Sequence, residues 1–276
     1  MAAALCSGCS TAPFKITDSF ASYYAKNKEE VGSDLKGMAS DLAVLSDSEA
    51  TDPNYQSNDY ADLLINDSTN EVLESYHCFD RLYPASITKV MTALLTLEHG
   101  NMDDEITLKH DINLTENGAV ISTLTKGDTV TVGQVFHTML IKSANDCAVI
   151  LAEYVAGSES KFIDMMNAKA KELGATHTHF VNPNGLHDNN HYTTAYDLYL
   201  IFKEAVKYDT FVDTVSSKDY TMTYTTPKKT QINEYMQSTN YYLLNEFPVP
   251  EGVVMYGGKT GTTSMAKSCL ILMTKN

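Results

Sequence analysis

Strand-like runs lie at both ends of the apolar-patterned part of this chain, and helical patterns fill the stretch between them. The two early runs flank a turn-rich segment and predict a hairpin. The five runs are Tyr60–Ile65, Val72–Tyr76, Tyr220–Thr225, Val253–Lys259 and Cys269–Met273. This order predicts an α/β or α+β domain whose sheet takes strands from both ends and carries the helices. It does not show the alternating rhythm of a doubly wound sheet.

The middle of the chain is predicted to be mostly helical. Pro84-Ala85-Ser86 is expected to open an apolar helix that runs to about Leu97. Gly133–Ile141 and Asn145–Val155 form two apolar segments, and Thr193–Val206 a further helix. Ser158–Leu173 has the rough apolar period of an amphipathic helix.

Composition and charge exclude some classes of binding partner and distinguish a polar N-terminal segment from the folded domain. The net charge of −15 argues against nucleic acid and against electrostatic attachment to anionic lipid, because both need a basic face. Residues from about 10 to 58 are polar and acidic, without a sustained apolar period. We therefore interpret residues 1–58 as a signal remnant with an acidic arm or linker, and residues 59–276 as the folded domain.

The five cysteines fit neither a zinc site nor a disulfide framework. Cys147 and Cys269 lie in apolar runs and are interpreted as buried thiols. The first residues resemble the tail of a bacterial lipoprotein signal, with Gly8 before the acceptor Cys9, but the basic start and most of the apolar core are missing. A cloning remnant or a misplaced start codon is the alternative, so membrane anchoring through a lipidated Cys9 stays open.

Three short motifs follow one another along the chain: Ser86-Ile87-Thr88-Lys89, Ser143-Ala144-Asn145 and Lys259-Thr260-Gly261. The first two patterns recur elsewhere, so the ordered triple is the signal. The spare copies are Ser33–Lys36, Ser158–Lys161, Ser264–Lys267, Ser68–Asn70 and Ser238–Asn240. Together the motifs supply a serine nucleophile, amines to move its proton, and groups to hold a peptide.

The first motif suits acyl transfer. Ser86 is predicted at a helix N-terminus, where unpaired amides favour an oxyanion beside the Ser86 amide. Lys89 lies on the same helix face one turn on, but its pKa must be lowered by burial or by a second cation before it can take the Ser86 proton. Lys259 could be that cation. The alternative is an ordinary helix start with a solvated lysine.

The other two motifs suit proton relay and peptide binding. The Ser143 hydroxyl can pass a proton to a leaving amine, and the Asn145 amide can pair with a peptide; alternatively either residue caps a helix. The third motif follows a strand-like run, so a substrate could pair with that edge where Gly261 allows close approach. Thr260 could then bind a terminal carboxylate and the Thr262 amide could complete the oxyanion hole. The alternative is a glycine-rich turn.

Longer segments around the motifs resemble the low-molecular-mass D-alanyl-D-alanine carboxypeptidases of the penicillin-binding protein and serine β-lactamase superfamily. These segments are Leu82–Thr92, Met139–Asp146, Phe180–Leu186 and His191–Leu198, within a match over roughly residues 59 to 274. The resemblance implies a β-lactamase/transpeptidase-like fold with an antiparallel sheet. It implies an enzyme of the bacterial cell envelope, outside the cytoplasm, without metal or organic cofactor.

The resemblance also implies a mechanism. Ser86 would attack the D-Ala-D-Ala bond of a peptidoglycan stem peptide, with Lys89, Ser143, Asn145 and Lys259 as the other catalytic residues. Water would hydrolyse the acyl-enzyme, and β-lactams would acylate Ser86 as substrate mimics. The eight histidines show no triad or metal pattern and are interpreted as surface or hydrogen-bonding residues.

Two alternatives accompany this interpretation. A class A β-lactamase uses a loop glutamate to activate the deacylating water, whereas no glutamate lies between Glu172 and Glu204 here. A catalytically silent, wall-binding relative is the other, and the presence of all five catalytic side chains argues against it.

The chain departs from the family pattern at its C-terminal end. Lys267 stands where the family usually has glycine, which requires a different backbone or places a charge at the sheet edge. In the family one more strand and a C-terminal helix follow, so we expect either that the chain is incomplete or that another segment fills the gap. Without that strand, the two halves of the sheet would not be bonded to each other. An arginine beyond the third motif, often the family's carboxylate-binding group, has no candidate here.

Overall fold

A computed structural model describes residues 42–43, 60–114, 116 and 118–275. The chain divides into two compact units, residues 1–76 and 77–276. The predicted boundary between residues 58 and 59 lies outside the described residues and stays a prediction, as does the acidic arm. Cys6 and Cys9 also lie outside them.

The described strands of the first unit form the predicted hairpin. Strand β1 (Asp62–Asn66) pairs antiparallel with β2 (Glu71–Tyr76). The Asn66 side chain accepts a hydrogen bond from the Ser68 amide at 3.1 Å, and Asn70 adopts a positive φ of 56°. Asparagine tolerates this backbone well, so the turn-rich segment closes the hairpin as its composition indicates.

The second unit contains the helices, and most follow the predicted segments. Their bounds are α1 (Lys89–His99), α2 (Val132–Ile141), α3 (Asn145–Ala156), α4 (Glu159–Glu172), α5 (Ala195–Ala205) and α6 (Asp209–Val215). A 3₁₀ turn over Ala85–Thr88 precedes α1, so Ser86 lies in this turn rather than in the α-helix itself. The short helix α6 was not predicted, because seven residues show no clear period.

The core surrounds α1 and α3. The described side chains of α3 from Asn145 to Ala152 are all buried, and α1 is buried from Lys89 to Thr96. Phe136, Phe162 and Phe211 are also fully buried. Burial on all sides gives these two helices fixed positions, and both begin at residues of the sequence motifs.

The strands of the second unit form two antiparallel sheets. One has the order β3-β4-β5-β6, and the other is the pair β7-β8. Their bounds are β3 (Glu105–Thr107), β4 (Thr129–Thr131), β5 (Asp219–Thr225), β6 (Gln231–Gln237), β7 (Val254–Thr263) and β8 (Lys267–Lys275). Strands β3, β4 and β6 were not predicted: the first two have three residues each and β6 is largely polar and exposed.

The mixed fold class with antiparallel sheets is confirmed. Among the described strands, the hairpin β1-β2 and the pair β7-β8 are separate sheets.

The backbone angle of Lys267 shows which of the two expectations for this position holds. Its φ of 59° lies in the left-handed region, so the lysine keeps a backbone that suits glycine. We expect Lys267→Gly to raise the free energy of unfolding by about 1 kcal/mol, since a side chain in this region is strained. Thermal unfolding should show a midpoint about 2–4 °C higher. Lys228→Gly is the matched control, because Lys228 is also exposed but has no positive φ; equal effects at both sites would contradict this account.

Candidate active site

Lys89 is the centre of a buried hydrogen-bonding cluster. It is the first residue of α1, and its side chain is 0% exposed. Its Nζ lies 2.9 Å from Ser86 Oγ, 2.8 Å from Asn145 Oδ1 and 2.7 Å from the Asn184 carbonyl oxygen. The alternative of a solvated lysine at a helix start is therefore wrong.

The partners of Lys89 suit a neutral amine. The Asn184 carbonyl and Asn145 Oδ1 can only accept hydrogen bonds, and Asn145 is oriented by its Nδ2, which donates to the Val120 carbonyl at 3.0 Å. A neutral amine has two hydrogens for these two acceptors. Its lone pair is then left for the Ser86 hydroxyl, which is the arrangement a general base needs.

Burial is the main cause that lowers the pKa of Lys89 well below its usual value, and the charge of Lys259 is the second cause. Asp146 and Cys147 act in the opposite direction but more weakly. The requirement for a lowered pKa at Lys89 is thus met by both causes named in the sequence analysis.

Ser143 and Lys259 form a second buried pair. Lys259 Nζ donates to Ser143 Oγ at 2.9 Å and to the Thr260 carbonyl at 2.7 Å. Burial lowers the pKa of Lys259 to about 7. An amine that titrates near neutral pH can accept or return a proton through the Ser143 hydroxyl.

The helix-cap alternative for the second motif is wrong. The N-cap of α3 is Ala144, and no side chain bonds there. Ser143 has a φ of 63°, an uncommon backbone for a residue with a side chain and one often found at functional sites. The neighbouring Asp146 accepts hydrogen bonds from the Ser122 amide and hydroxyl, which fixes the segment that holds Asn145.

A spare copy of the first motif shows the contrast. Ser158 caps α4 by accepting a hydrogen bond from the Lys161 amide, and Lys161 itself is exposed. Ser264 lies in the exposed turn between β7 and β8, and Lys267 is the exposed first residue of β8. The pair Ser33 and Lys36 lies outside the described residues.

The third motif lies inside β7, so the glycine-rich turn alternative is wrong. Lys259, Thr260, Gly261 and Thr262 pair in register with Ile271, Leu270, Cys269 and Ser268 of β8. The Thr260 hydroxyl lies 2.5 Å from the Thr239 hydroxyl. Thr262 is exposed, so the end of the motif is open to a ligand.

Gly261 allows β7 to approach the nucleophile turn. A Cβ atom at this position would lie 2.9 Å from the Ser86 nitrogen and 3.1 Å from the Ala85 Cβ. We expect Gly261→Ala to push the strand away from Ser86 and to lower the rate of Ser86 acylation by roughly 10- to 100-fold, because small displacements of reacting groups are costly. Acylation kinetics with a chromogenic β-lactam measure this; an unchanged rate would show that the close approach has no role.

Several residues that support the site were not assigned a role from the sequence. Asn184 acts through its backbone carbonyl, which leaves no side-chain signature. Thr92 Oγ1 donates to the Pro183 carbonyl at 2.6 Å and holds the same loop against α1. The turn-rich Asn182–Gly185 sequence was the available signal.

Within the described residues, no group of three or more His, Cys, Asp or Glu side chains is placed to hold a metal ion. In the same part of the chain, none of the helices is both long and apolar enough to cross a bilayer.

Comparison with known proteins identifies relatives of this chain. D-alanyl-D-alanine carboxypeptidase DacF of Bacillus subtilis is 35% identical over 217 residues, which are 77% of this chain and 53% of that protein. DacC of Escherichia coli is 32% identical over 74% of this chain and 50% of its own length. The chain thus spans about half the length of these two relatives.

A solved structure is similar over most of this chain. The Streptomyces K15 DD-transpeptidase superposes with a TM-score of 0.71 and 29% identity, covering 78% of this chain and 84% of that one. Residues 47–276 match the family described as D-alanyl-D-alanine carboxypeptidase. The resemblance of the motif segments is therefore confirmed, and the chain belongs to the D-alanyl-D-alanine carboxypeptidase family.

Proposed function

We propose that this protein is a serine D-alanyl-D-alanine carboxypeptidase that removes the terminal D-Ala from peptidoglycan stem peptides. The observation that carries the proposal is the set of three contacts at Lys89 Nζ, which holds this buried amine 2.9 Å from Ser86 Oγ. The names of the relatives support the substrate class.

In the proposed acylation step, Ser86 Oγ attacks the carbonyl carbon of the penultimate D-Ala and its proton passes to Lys89 Nζ. The peptide C–N bond breaks, and the leaving D-Ala nitrogen receives a proton through Ser143, supplied by Lys259. The amides of Ser86 and Thr262 would stabilise the oxyanion. Water then attacks the ester and releases the shortened peptide.

Substrate binding is assigned to the open edge of β7. A peptide added along Lys259–Thr262 would place its terminal carboxylate near the Thr260 hydroxyl, with Gly261 allowing close approach. The Asn145 amide would bind the substrate backbone. β-Lactams would acylate Ser86 as mimics of the D-Ala-D-Ala end.

The substrate implies a place in the bacterial cell envelope, outside the cytoplasm. Whether the chain is secreted or held at the membrane through a lipidated Cys9 stays a prediction, because that cysteine lies outside the described residues.

The serine β-lactamase alternative predicts fast hydrolysis of the acyl-enzyme, and the absence of a glutamate between Glu172 and Glu204 argues against it. The silent wall-binding alternative predicts no turnover. Both Lys89–Ser86 and Lys259–Ser143 pairs argue against that.

A direct assay separates the three functions. The protein is incubated with a synthetic peptide ending in D-Ala-D-Ala, and with the same peptide ending in D-Ala-L-Ala, and free alanine is measured. The proposal predicts release of D-Ala from the first peptide only, together with a long-lived adduct with benzylpenicillin. Rapid penicillin turnover would favour a β-lactamase, and neither release nor adduct would favour a silent relative.

A further inference from the structure

His191, Thr88 and the Ala85 carbonyl form a buried series of hydrogen bonds, here called the relay, that ends beside the nucleophile Ser86. Both side chains are 1% exposed. His191 Nε2 lies 2.8 Å from Thr88 Oγ1, and Thr88 Oγ1 donates to the Ala85 carbonyl at 2.8 Å. None of the three residues carries a role in the chemistry described so far.

The direction in which the relay donates its hydrogen bonds follows from the contact at His191 Nδ1. The Val181 amide donates to His191 Nδ1 at 3.2 Å, so Nδ1 is an acceptor and the ring proton lies on Nε2. Nε2 therefore donates to Thr88, and the Thr88 hydrogen is directed to Ala85. Burial lowers the pKa of His191 to about 4, so the ring stays neutral near pH 7.

The relay ends on the peptide group between Ala85 and Ser86, whose N–H belongs to the nucleophile residue. The Ala85 carbonyl and the Ser86 N–H belong to one planar peptide, so fixing one orients the other. Ala85 has a φ of 47°, an uncommon backbone for alanine that surrounding contacts must hold. Gly185 packs against the same carbonyl, since a Cβ there would lie 1.9 Å from the Ala85 oxygen.

We propose that His191 and Thr88 are positioning residues which fix the Ala85–Ser86 peptide and so direct the Ser86 N–H toward the oxyanion formed during acylation. This inference rests on the proposed function. The hydrogen bond to Ala85 holds the strained peptide and polarises its N–H end. Because both side chains are buried, they would act through this peptide rather than on the substrate itself.

An isolated β-bridge between Leu82 and Thr193 explains how His191 comes to lie next to Thr88. Their backbones exchange hydrogen bonds at 2.8 and 2.9 Å, which brings the segment containing His191 alongside the nucleophile turn. Phe180 contacts the His191 ring at a centroid distance of 5.5 Å and restricts its rotation. The relay therefore starts from a ring whose position is fixed.

Thr88→Val tests the relay, because valine keeps the shape and removes the hydroxyl, while Thr88→Ser restores the hydroxyl. Stopped-flow kinetics with a chromogenic β-lactam separate the constant for reversible binding from the rate constant of acylation. We expect Thr88→Val to lower the acylation rate constant by roughly 10- to 100-fold, less than or similar to losing one oxyanion donor. Reversible binding should stay within about two-fold, and Thr88→Ser should recover most of the rate.

A second pair keeps the test valid if Thr88→Val does not fold. His191→Gln retains a donor near the Nε2 position and His191→Met does not, so the first should acylate faster than the second. Equal acylation by Thr88→Val and wild type, or by His191→Gln and His191→Met, would overturn the relay alone. If wild type is not acylated and releases no D-Ala, the proposed function itself fails.

Discussion

Lys89→Met is expected to lower the rate constant for Ser86 acylation by about 10³-fold, the effect typical of removing a general base. Methionine fills a similar buried volume but cannot take the Ser86 proton, and it leaves Asn145 Oδ1 and the Asn184 carbonyl without their donor. The reaction with a chromogenic β-lactam, followed by stopped flow, measures the change. Thermal unfolding of the variant shows whether the loss comes from the chemistry or from the fold.

Lys161→Met is the matched control for this variant. Lys161 also lies three residues after a serine, but it is exposed and Ser158 serves there as a helix cap. We expect its acylation rate to equal that of wild type. An acylation rate of Lys89→Met within ten-fold of wild type would show that another group takes the proton.

Lys259→Met is expected to change both the rate and its pH dependence. The variant cannot return a proton through Ser143, so acylation at pH 7 should fall by about 10²-fold. Removing the Lys259 charge also removes the second cause that lowers the pKa of Lys89. The pKa of Lys89 should therefore rise, and less of the active neutral amine should be present near neutral pH.

The pH profile of acylation shows in which direction the pKa of Lys89 moves. Acylation increases with pH as Lys89 loses its proton, and it should decrease again near pH 7, where Lys259, the proton donor, loses its own. In Lys259→Met the rise should move to higher pH, yet stay below the usual lysine value because burial, the larger cause, remains. A rise at unchanged or lower pH would contradict the electrostatic coupling of the two lysines. Lys161→Met again serves as the control.

The sequence predicted five of the six α-helices of the described residues and named the motif side chains that are proposed to be catalytic. Segments such as Asn145–Ala156 and Glu159–Glu172 are long and have clear ends, so pattern and helix boundary agree. The motif residues share a special requirement: their spacing places them at the starts of α1 and α3 and within β7. The motif order predicted that these residues would lie close together, whereas the distances between their atoms depend on the tertiary structure.

The parts that sequence could not provide are short elements and backbone groups. Three-residue strands such as Glu105–Thr107 carry too few residues for a period-two pattern. The Asn184 carbonyl and the Ala85–Ser86 peptide act through atoms that every residue has. The role of His191 depends on a contact with Thr88, 103 positions away. Such contacts follow from the tertiary fold rather than from local preference.

Ser86 Oγ is the atom that is expected to become acylated. The position of a penicillin adduct on the protein tests this claim most directly. The protein is incubated with benzylpenicillin, the intact mass is measured, and the adduct is mapped to a peptide in wild type, Ser86→Ala and Ser264→Ala. Ser264 is the control because it begins a spare copy of the motif at an exposed position. The account predicts one adduct, on the peptide containing Ser86, in wild type and Ser264→Ala and none in Ser86→Ala. An adduct that persists in Ser86→Ala, or that maps to another peptide, would contradict it.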